Sequence, residues 1–317
     1  MKKYLLLVIL LSILLTASQV NATTTFITIA SGNIGGTWYP LGGMIAEVLN
    51  RANVDIKATS RSAGSSRENC RLVATGKAQV GMSMGITLYQ AYNGLDFFKN
   101  EGNLDLRILM NMYASPHHIV TTKKSGIKTL EDLRGKRVVL GAPSSGDEML
   151  STIILKTAGI DPDKDIVKEL LTYTEAVMAL KDGNVDAALW NFPTPAPAYL
   201  ELLAVREMQL ITIPIDIITK IIEKHPFLLS YTIKAGTYDK QEYDVTTIAD
   251  GNYLIVHANM TEELSYILVK NILENQKTFL TVTAQAQHFI PEEASKGIIP
   301  FSKGSKKYFL THNIVID

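Results

Sequence analysis

The chain has 317 residues, with 31 basic against 31 acidic side chains, 46% hydrophobic residues and one cysteine. So even a charge balance gives no reason to expect nucleic acid or an anionic membrane as partner. The single thiol, Cys70, excludes an internal disulfide.

Lys2 and Lys3, the apolar run Leu5 to Leu15 broken only by Ser12, and the small-x-small end Val20-Asn21-Ala22 read as a secretory signal peptide over residues 1–22. The apolar core is short for a membrane span, and no later segment has 18 consecutive apolar residues. Removing the leader leaves 295 residues and a net charge of −2, enough chain for two lobes. Export without a lipobox cysteine or disulfides fits a bacterial periplasm.

The first unit is a strand, Phe26 to Ala30, a turn, Gly32-Asn33-Ile34-Gly35-Gly36-Thr37-Trp38-Tyr39-Pro40, and a helix through Met44 to Leu49. Thr37 suits an N-cap and Pro40 the first turn. First-turn amides lack partners inside a helix and carry the positive end of its dipole, so they favour an anion. Gly36 lets a ligand approach, and Trp38 and Tyr39 add flat surface.

The arrangement recurs twice. Asp55 to Ser60 is a strand, followed by Arg61-Ser62-Ala63-Gly64-Ser65-Ser66-Arg67-Glu68-Asn69, where Ser65-x-x-Glu68 is a capping box. Ser65 either only caps the helix or also faces a ligand. Arg61 or Arg67 is then a carboxylate fork or a solvated side chain. Cys70 reads as a small buried residue. Val80 to Met84 is a strand, Ile86 to Tyr92 a helix stopped at Asn93-Gly94, and Leu106 to Met112 and His117 to Thr122 two further strands separated at Ser115-Pro116.

The third unit is the strand Arg137 to Gly141, the turn Ala142-Pro143-Ser144-Ser145-Gly146, and a helix through Leu155, with Ser145-x-x-Glu148 again a capping box. Here Asp147 and Glu148 are able to satisfy the dipole themselves. Thr172-x-x-Glu175 opens another helix. Asp186 to Trp190 is a strand, Pro193 to Pro197 turns it into a helix over Ala198 to Val205, and Trp190 belongs either to a cleft rim or to the core. Strands follow at Met208 to Pro214, Tyr231 to Ala235 and Tyr253 to His257, with helices at Ile215 to Lys224 and, capped by Thr261, Glu262 to Asn275. Alternating strands and helices define an α/β chain with mostly parallel sheets.

There is no Gly-x-Ser-x-Gly elbow, His-Glu-x-x-His, paired-cysteine zinc pattern or Walker loop. His257, His288 and His312 lack metal-site spacing, so no metal, cofactor or enzymatic activity is expected. Ser144 or Ser145 with His117 or His118 is a conceivable nucleophile and base, but nothing local supports it. Three strand ends leading into helix N-termini instead describe a binding crevice at the carboxyl edge of an open sheet.

Several motifs resemble one family in order, across roughly Phe26 to Lys277. They are Ile29 to Ala46 with its Gly35-to-Gly43 segment, Ser62-Ala63-Gly64-Ser65 with Asn69, Ala91-Tyr92-Asn93-Gly94, Leu133 to Val138, Gly141 to Gly146 and Pro193 to Pro197. Together they resemble the TAXI-type solute-binding proteins of TRAP transporters. The resemblance implies a two-lobed, type II periplasmic-binding-protein-like fold with hinge strands, lobe I being residues 23–112 and 213–317 and lobe II residues 113–212. It implies a receptor that delivers a small carboxylate or amino acid, such as glutamate, to a TRAP-type membrane permease. Carried over by position, its ligand-facing residues are Gly36, Thr37, Trp38, Tyr39, Gly64, Ser65, Asn69, Ser144, Ser145 and Gly146. Arg61, Met84, His117 and Trp190 complete the candidate set, with Trp38 and Trp190 on opposite lobes.

The chain departs from this pattern at Met84-Gly85-Ile86, where relatives carry polar residues, at the bulkier Trp190-Asn191-Phe192, and at Pro300 to Gly304. The first two changes imply a smaller or more apolar solute than glutamate. A periplasmic sensing module is the alternative reading, and a secreted enzyme on the same fold the more distant one.

Overall fold

The computed structural model describes residues 24–52 and 54–316, so the signal-peptide reading lies outside the described residues. β1 (Thr25–Ala30) leads through the glycine turn into α1 (Trp38–Arg51). Leu41, Ile45, Val48 and Leu49 recur at helical spacing on α1 and are buried, while Glu47 and Asn50 are exposed. β2 (Ile56–Arg61), α2 (Ser66–Ala74), β3 (Val80–Met84) and α3 (Gly85–Asn93) follow, and α3 stops at Gly94 with φ 63°.

β4 (Leu106–Thr122) is one strand of 17 residues, not the two expected on either side of Ser115-Pro116. Pro116 is tolerated because it lies where β4 changes partner. Leu106 to Pro116 pair with β10 (Val245–His257), and His117 to Thr121 pair with β7 (Ala187–Asn191). β10 is likewise longer than Tyr253 to His257. Its first half pairs with β9 (Leu229–Ile233) and its second half with β3.

The remaining elements are β5 (Arg137–Val139), α4 (Gly146–Thr157), β6 (Val167–Glu169), α5 (Tyr173–Asp182), α6 (Pro197–Leu203), β8 (Met208–Leu210), α7 (Ile215–Lys224) and α8 (Glu262–Glu274). The chain ends in α9 (Gln276–Phe279), α10 (Pro291–Ala294) and α11 (Lys303–Leu310). Strand order is β2-β1-β3-β10-β4-β7-β5-β6, with β8 on β4 and β9 on β10. Pairs β1–β2, β1–β3, β5–β6 and β5–β7 are parallel.

Two lobes result. One core gathers Ile27, Ile45, Phe98, Met110, Leu254, Leu268 and Phe309, so the C-terminal tail packs on the first lobe. In the other lobe, alternate residues of β4, β5 and β7 face opposite layers, as a two-sided sheet requires. Ile119, Val138 and Leu189 meet Leu150 of α4 and Ile218 of α7. Val120, Val139 and Trp190 meet Val177 of α5 and Leu202 of α6. Ile213, Ile217, Ile221, Leu228 and Ile248 join the cluster around Ile119 and Leu189, as do Met84 and Ile86 at the end of β3 and the start of α3.

Candidate functional site

A crevice opens where β4 and β10 cross between the lobes. It is narrow, a space of about 650 Å³ counted out to the solvent at its mouth. Its walls include Ser31, Asn33, Gly36, Thr37, Trp38, Gly64, Ser65, Ser66, Met84, Tyr113 and Asn252 on the first-lobe side. Facing them are Ser145, Gly146, Asp147, Tyr173, Asn191, Phe192 and Pro193.

Three helix N-termini end here, those of α1, α2 and α4. Thr37 stands at the N-cap position of α1 but makes no side-chain cap and has helical dihedrals, against expectation. Ser65 Oγ accepts the Glu68 amide at 3.1 Å, and Ser145 Oγ accepts the Glu148 amide at 3.1 Å. Neither pair closes a full capping box. Glu68 accepts the amide of Gly64 at 2.7 Å, and Glu148 that of Ser144 at 2.6 Å, each one residue upstream of the cap. The earliest amides of both helices are left without a side-chain cap, so they carry the partial positive charge of the helix ends toward the crevice.

Among the described residues, no Lys, Arg or His lines the crevice. Its one carboxylate is Asp147, on the first turn of α4. Asp147 Oδ2 accepts the Tyr173 hydroxyl at 2.6 Å and Oδ1 accepts the Asn191 amide at 2.6 Å. Burial pushes its carboxyl up to about 6 even so. Burial, reinforced by Asp147, holds the Tyr173 phenol well above its ordinary range, so it stays a donor. Asp250, on β10 itself, accepts the Ile86 amide at 3.0 Å and is pushed by burial up to about 7. It caps α3, which removes that helix end from the crevice.

The floor is a hydrogen-bonded lattice. Trp38 Nε1 donates to Asn252 Oδ1 at 3.1 Å, Asn252 Nδ2 donates to Ser115 Oγ at 3.1 Å, and Asn191 Nδ2 donates to the Ser115 carbonyl at 2.6 Å. Trp38 packs against both lobes' cores and ties the first helix to the hinge. At the mouth the lobes touch. A Cβ on Gly36 would meet the Tyr173 ring at 3.4 Å, and one on Gly146 would meet Met84 Sδ at 2.5 Å. At Gly146 only glycine permits this approach, whereas a Cβ at Gly36 would make an ordinary contact.

Of the residues expected at the site, Gly36, Thr37, Trp38, Gly64, Ser65, Met84, Ser145 and Gly146 meet in this crevice. The other six do not line it. Tyr39 points away and is 43% exposed. Arg61 is exposed and lies 3.7 Å from Glu68. Asn69 is buried and uses its amide to tie Ser31 to Met82, at 2.8 Å each. Ser144 lies in the turn before α4 with φ 59°. Trp190 is buried beside Tyr173 and Phe192, so it is core and not rim.

His117 is buried and bonds Ser151 Oγ at 3.0 Å, and His118 bonds the Tyr238 hydroxyl at 2.7 Å. Burial lowers their imidazoles to about 3 and about 4, leaving both neutral. Neither is bonded to Ser144 or Ser145, so the nucleophile–base pairing is not formed. Ile86 also faces the core, which leaves Met84 as the apolar change that reaches the crevice.

Sequence reasoning missed Tyr113, Asp147, Tyr173 and Asn252 as lining residues, and singled out Asn191 and Phe192 only as part of a bulkier segment. Asp147 had a local signal, since an acid next to a cap has to point somewhere. Asn252 had none, because its place depends on pairing with strands far away in sequence.

The fold is similar to that of solved periplasmic binding proteins. A structure from Bordetella bronchiseptica superposes with a TM-score of 0.53 at 18% identity, over 90% of this chain and 89% of that one. The alkanesulfonate-binding protein of Xanthomonas axonopodis pv. citri, solved with MOPS, gives 0.52 at 16% identity over 92% of each chain. The aliphatic sulphonate binding protein SsuA of Escherichia coli gives 0.50 at 16% identity over 91% and 83%. Residues 29–310 match the NMT1-like family, and the chain belongs to it.

Proposed function

We propose that this protein is an extracytoplasmic solute receptor that closes on a small amino acid with an apolar side chain and passes it to a membrane permease. One observation carries the reading: three helix N-termini and a single buried carboxylate share a narrow crevice that no basic side chain lines. Backbone amides at the helix ends suit the solute's carboxylate. A plain carboxylate would face Asp147 with like charge, whereas an amino acid presents an ammonium to it. Met84, Tyr113, Phe192 and Pro193 then surround the side chain, which favours an apolar one over that of glutamate.

The lobes divide near Tyr113 to Ser115 on β4 and Asp250 to Asn252 on β10, which puts residues 213–248 in the second lobe. Closure about these strands is a population shift driven by tighter binding to the closed state. The leader reading supports a periplasmic location, and the family's fold supports a binding role and not catalysis. The TAXI-like motifs support a TRAP-type permease as partner. Sulfonate binding by two of the structural neighbours makes alkanesulfonates the second oxyanion class to try.

The test is a thermal-shift screen of the mature chain after stripping by unfolding and refolding. A ligand at 100 times its dissociation constant adds about 2.7 kcal/mol. Apolar L-amino acids are expected to raise the melting temperature more than glutamate, 2-oxo acids or alkanesulfonates. Glutamate binding as tightly as any apolar acid refutes the size and polarity assignment. A response to sulfonates alone refutes the amino-acid assignment.

A further inference from the structure

Arg67 occupies the second position of α2, where the helix dipole disfavours a cation. It is held there by its own lobe. Its guanidinium carbon lies 4.7 Å from the Phe97 ring centre, Nη2 donates to the Phe97 carbonyl at 2.9 Å, and Glu101 lies 4.0 Å away. Those contacts do not depend on the other lobe, so they orient the fork whether the crevice is open or shut.

One bond leaves the lobe: Nη1 donates to Ser144 Oγ at 3.3 Å. Ser144 is itself unusual, a non-glycine residue with φ 59°, in the turn that opens α4. The equivalent position before α2 is Gly64, which has no positive φ. A left-handed serine is strained where glycine would be free, and the glycine would lack the hydroxyl that Arg67 uses. Glu148 accepts the Ser144 backbone amide at 2.6 Å and so fixes the turn that carries the hydroxyl. A cation at the wrong helix end and a serine in a glycine's conformation meet in one bond between the lobes.

We infer that Arg67 and Ser144 form a latch that keeps a closed population of the ligand-free protein. The inference rests on the two-lobed hinge, not on which solute is bound, so it stands or falls without a ligand.

The experiment is a distance measurement by double electron–electron resonance on the mature chain without added solute. Nitroxides go at Lys57→Cys on β2 and Asp182→Cys on α5, both exposed and on opposite lobes. Cys70 is buried and escapes labelling. Wild type is expected to contain a closed distance population that both Arg67→Met and Ser144→Gly lose, with the double variant no more open than either single one. Glycine suits the turn, so Ser144→Gly folds even if Arg67→Met does not. A wild type with no closed population, or a Ser144→Gly variant that keeps it, overturns the latch. A shut crevice that binds nothing in the screen would refute the receptor reading and leave the latch intact.

Discussion

The turns before α2 and α4 are the same device built twice and put to different use. Each has a serine cap, Ser65 or Ser145, and a glutamate three residues on that accepts the amide upstream of the cap. They differ at three matching positions, Gly64 against Ser144, Ser66 against Gly146 and Arg67 against Asp147. At α2, a relaxed Gly64 precedes the cap and Arg67 follows it in the first turn, turning outward over Phe97. At α4, a strained Ser144 precedes the cap and Asp147 follows it in the first turn, turning into the crevice. Capping chemistry supplies two helix ends facing one space. The residues beside the caps decide which end carries charge inward and which grips the partner lobe.

The sharpest way to break that comparison is to fill the glycine beside each cap. A Cβ on Gly146 meets Met84 Sδ, Cβ and Cγ at 2.5, 2.9 and 3.1 Å, whereas one on Gly64 meets only the flexible Glu68 Oε2 at 3.1 Å. Overpacking of this kind costs roughly 1–3 kcal/mol. Gly146→Ala is therefore expected to weaken solute binding by about 5- to 150-fold in calorimetric titration, because the clash exists only between lobes. Gly64→Ala should change it little. Equal effects would mean that the two ends do not differ in the way described.

Asp147 gives the next effect. Its folded-state value of about 6 lies above the ordinary 3.8. The stability it contributes is present below 3.8 and is lost as pH rises through 6. On the usual linkage scale the loss is about 3 kcal/mol. His117 and His118, lowered to about 3 and about 4, act with the opposite sign below their ordinary 6.5. The difference between wild type and Asp147→Asn cancels the histidines and reports the aspartate together with its coupling to Asp250. Denaturant unfolding at pH 4 to 7 should show the variant gaining on wild type as pH rises, and a constant difference would contradict the burial assigned to Asp147.

The smallest effect tests what the turns share. Ser65→Ala and Ser145→Ala should each cost about 1 kcal/mol, since each removes one side-chain cap. Matching losses in unfolding free energy are expected, and a cost confined to one of them would break the equivalence.

Much of this was legible because capping and strand–turn–helix order are local. Ser65, Ser145, Thr172 and Thr261 all cap the helices their spacing implied. The continuity of β4 was not legible, since Pro116 reads as a break until its change of partner is seen. Nor was side-chain direction within a turn. Tyr39 and Trp38 are neighbours, yet one faces solvent and the other donates to Asn252, 214 residues away in sequence. Met84 and Ile86 looked like one apolar wall, but the strand ends between them, and Ile86 turns into the core.

The central claim is that the crevice holds a carboxylate on helix ends and an ammonium on Asp147. Its most direct test is calorimetric titration of the stripped mature chain with L-valine and with 2-oxoisovalerate, which match in shape and differ in the amine. The account predicts at least about tenfold tighter binding of the amino acid, a difference of about 1.4 kcal/mol, and its loss in Asp147→Asn. Equal binding of the two acids, or binding of neither, would contradict it.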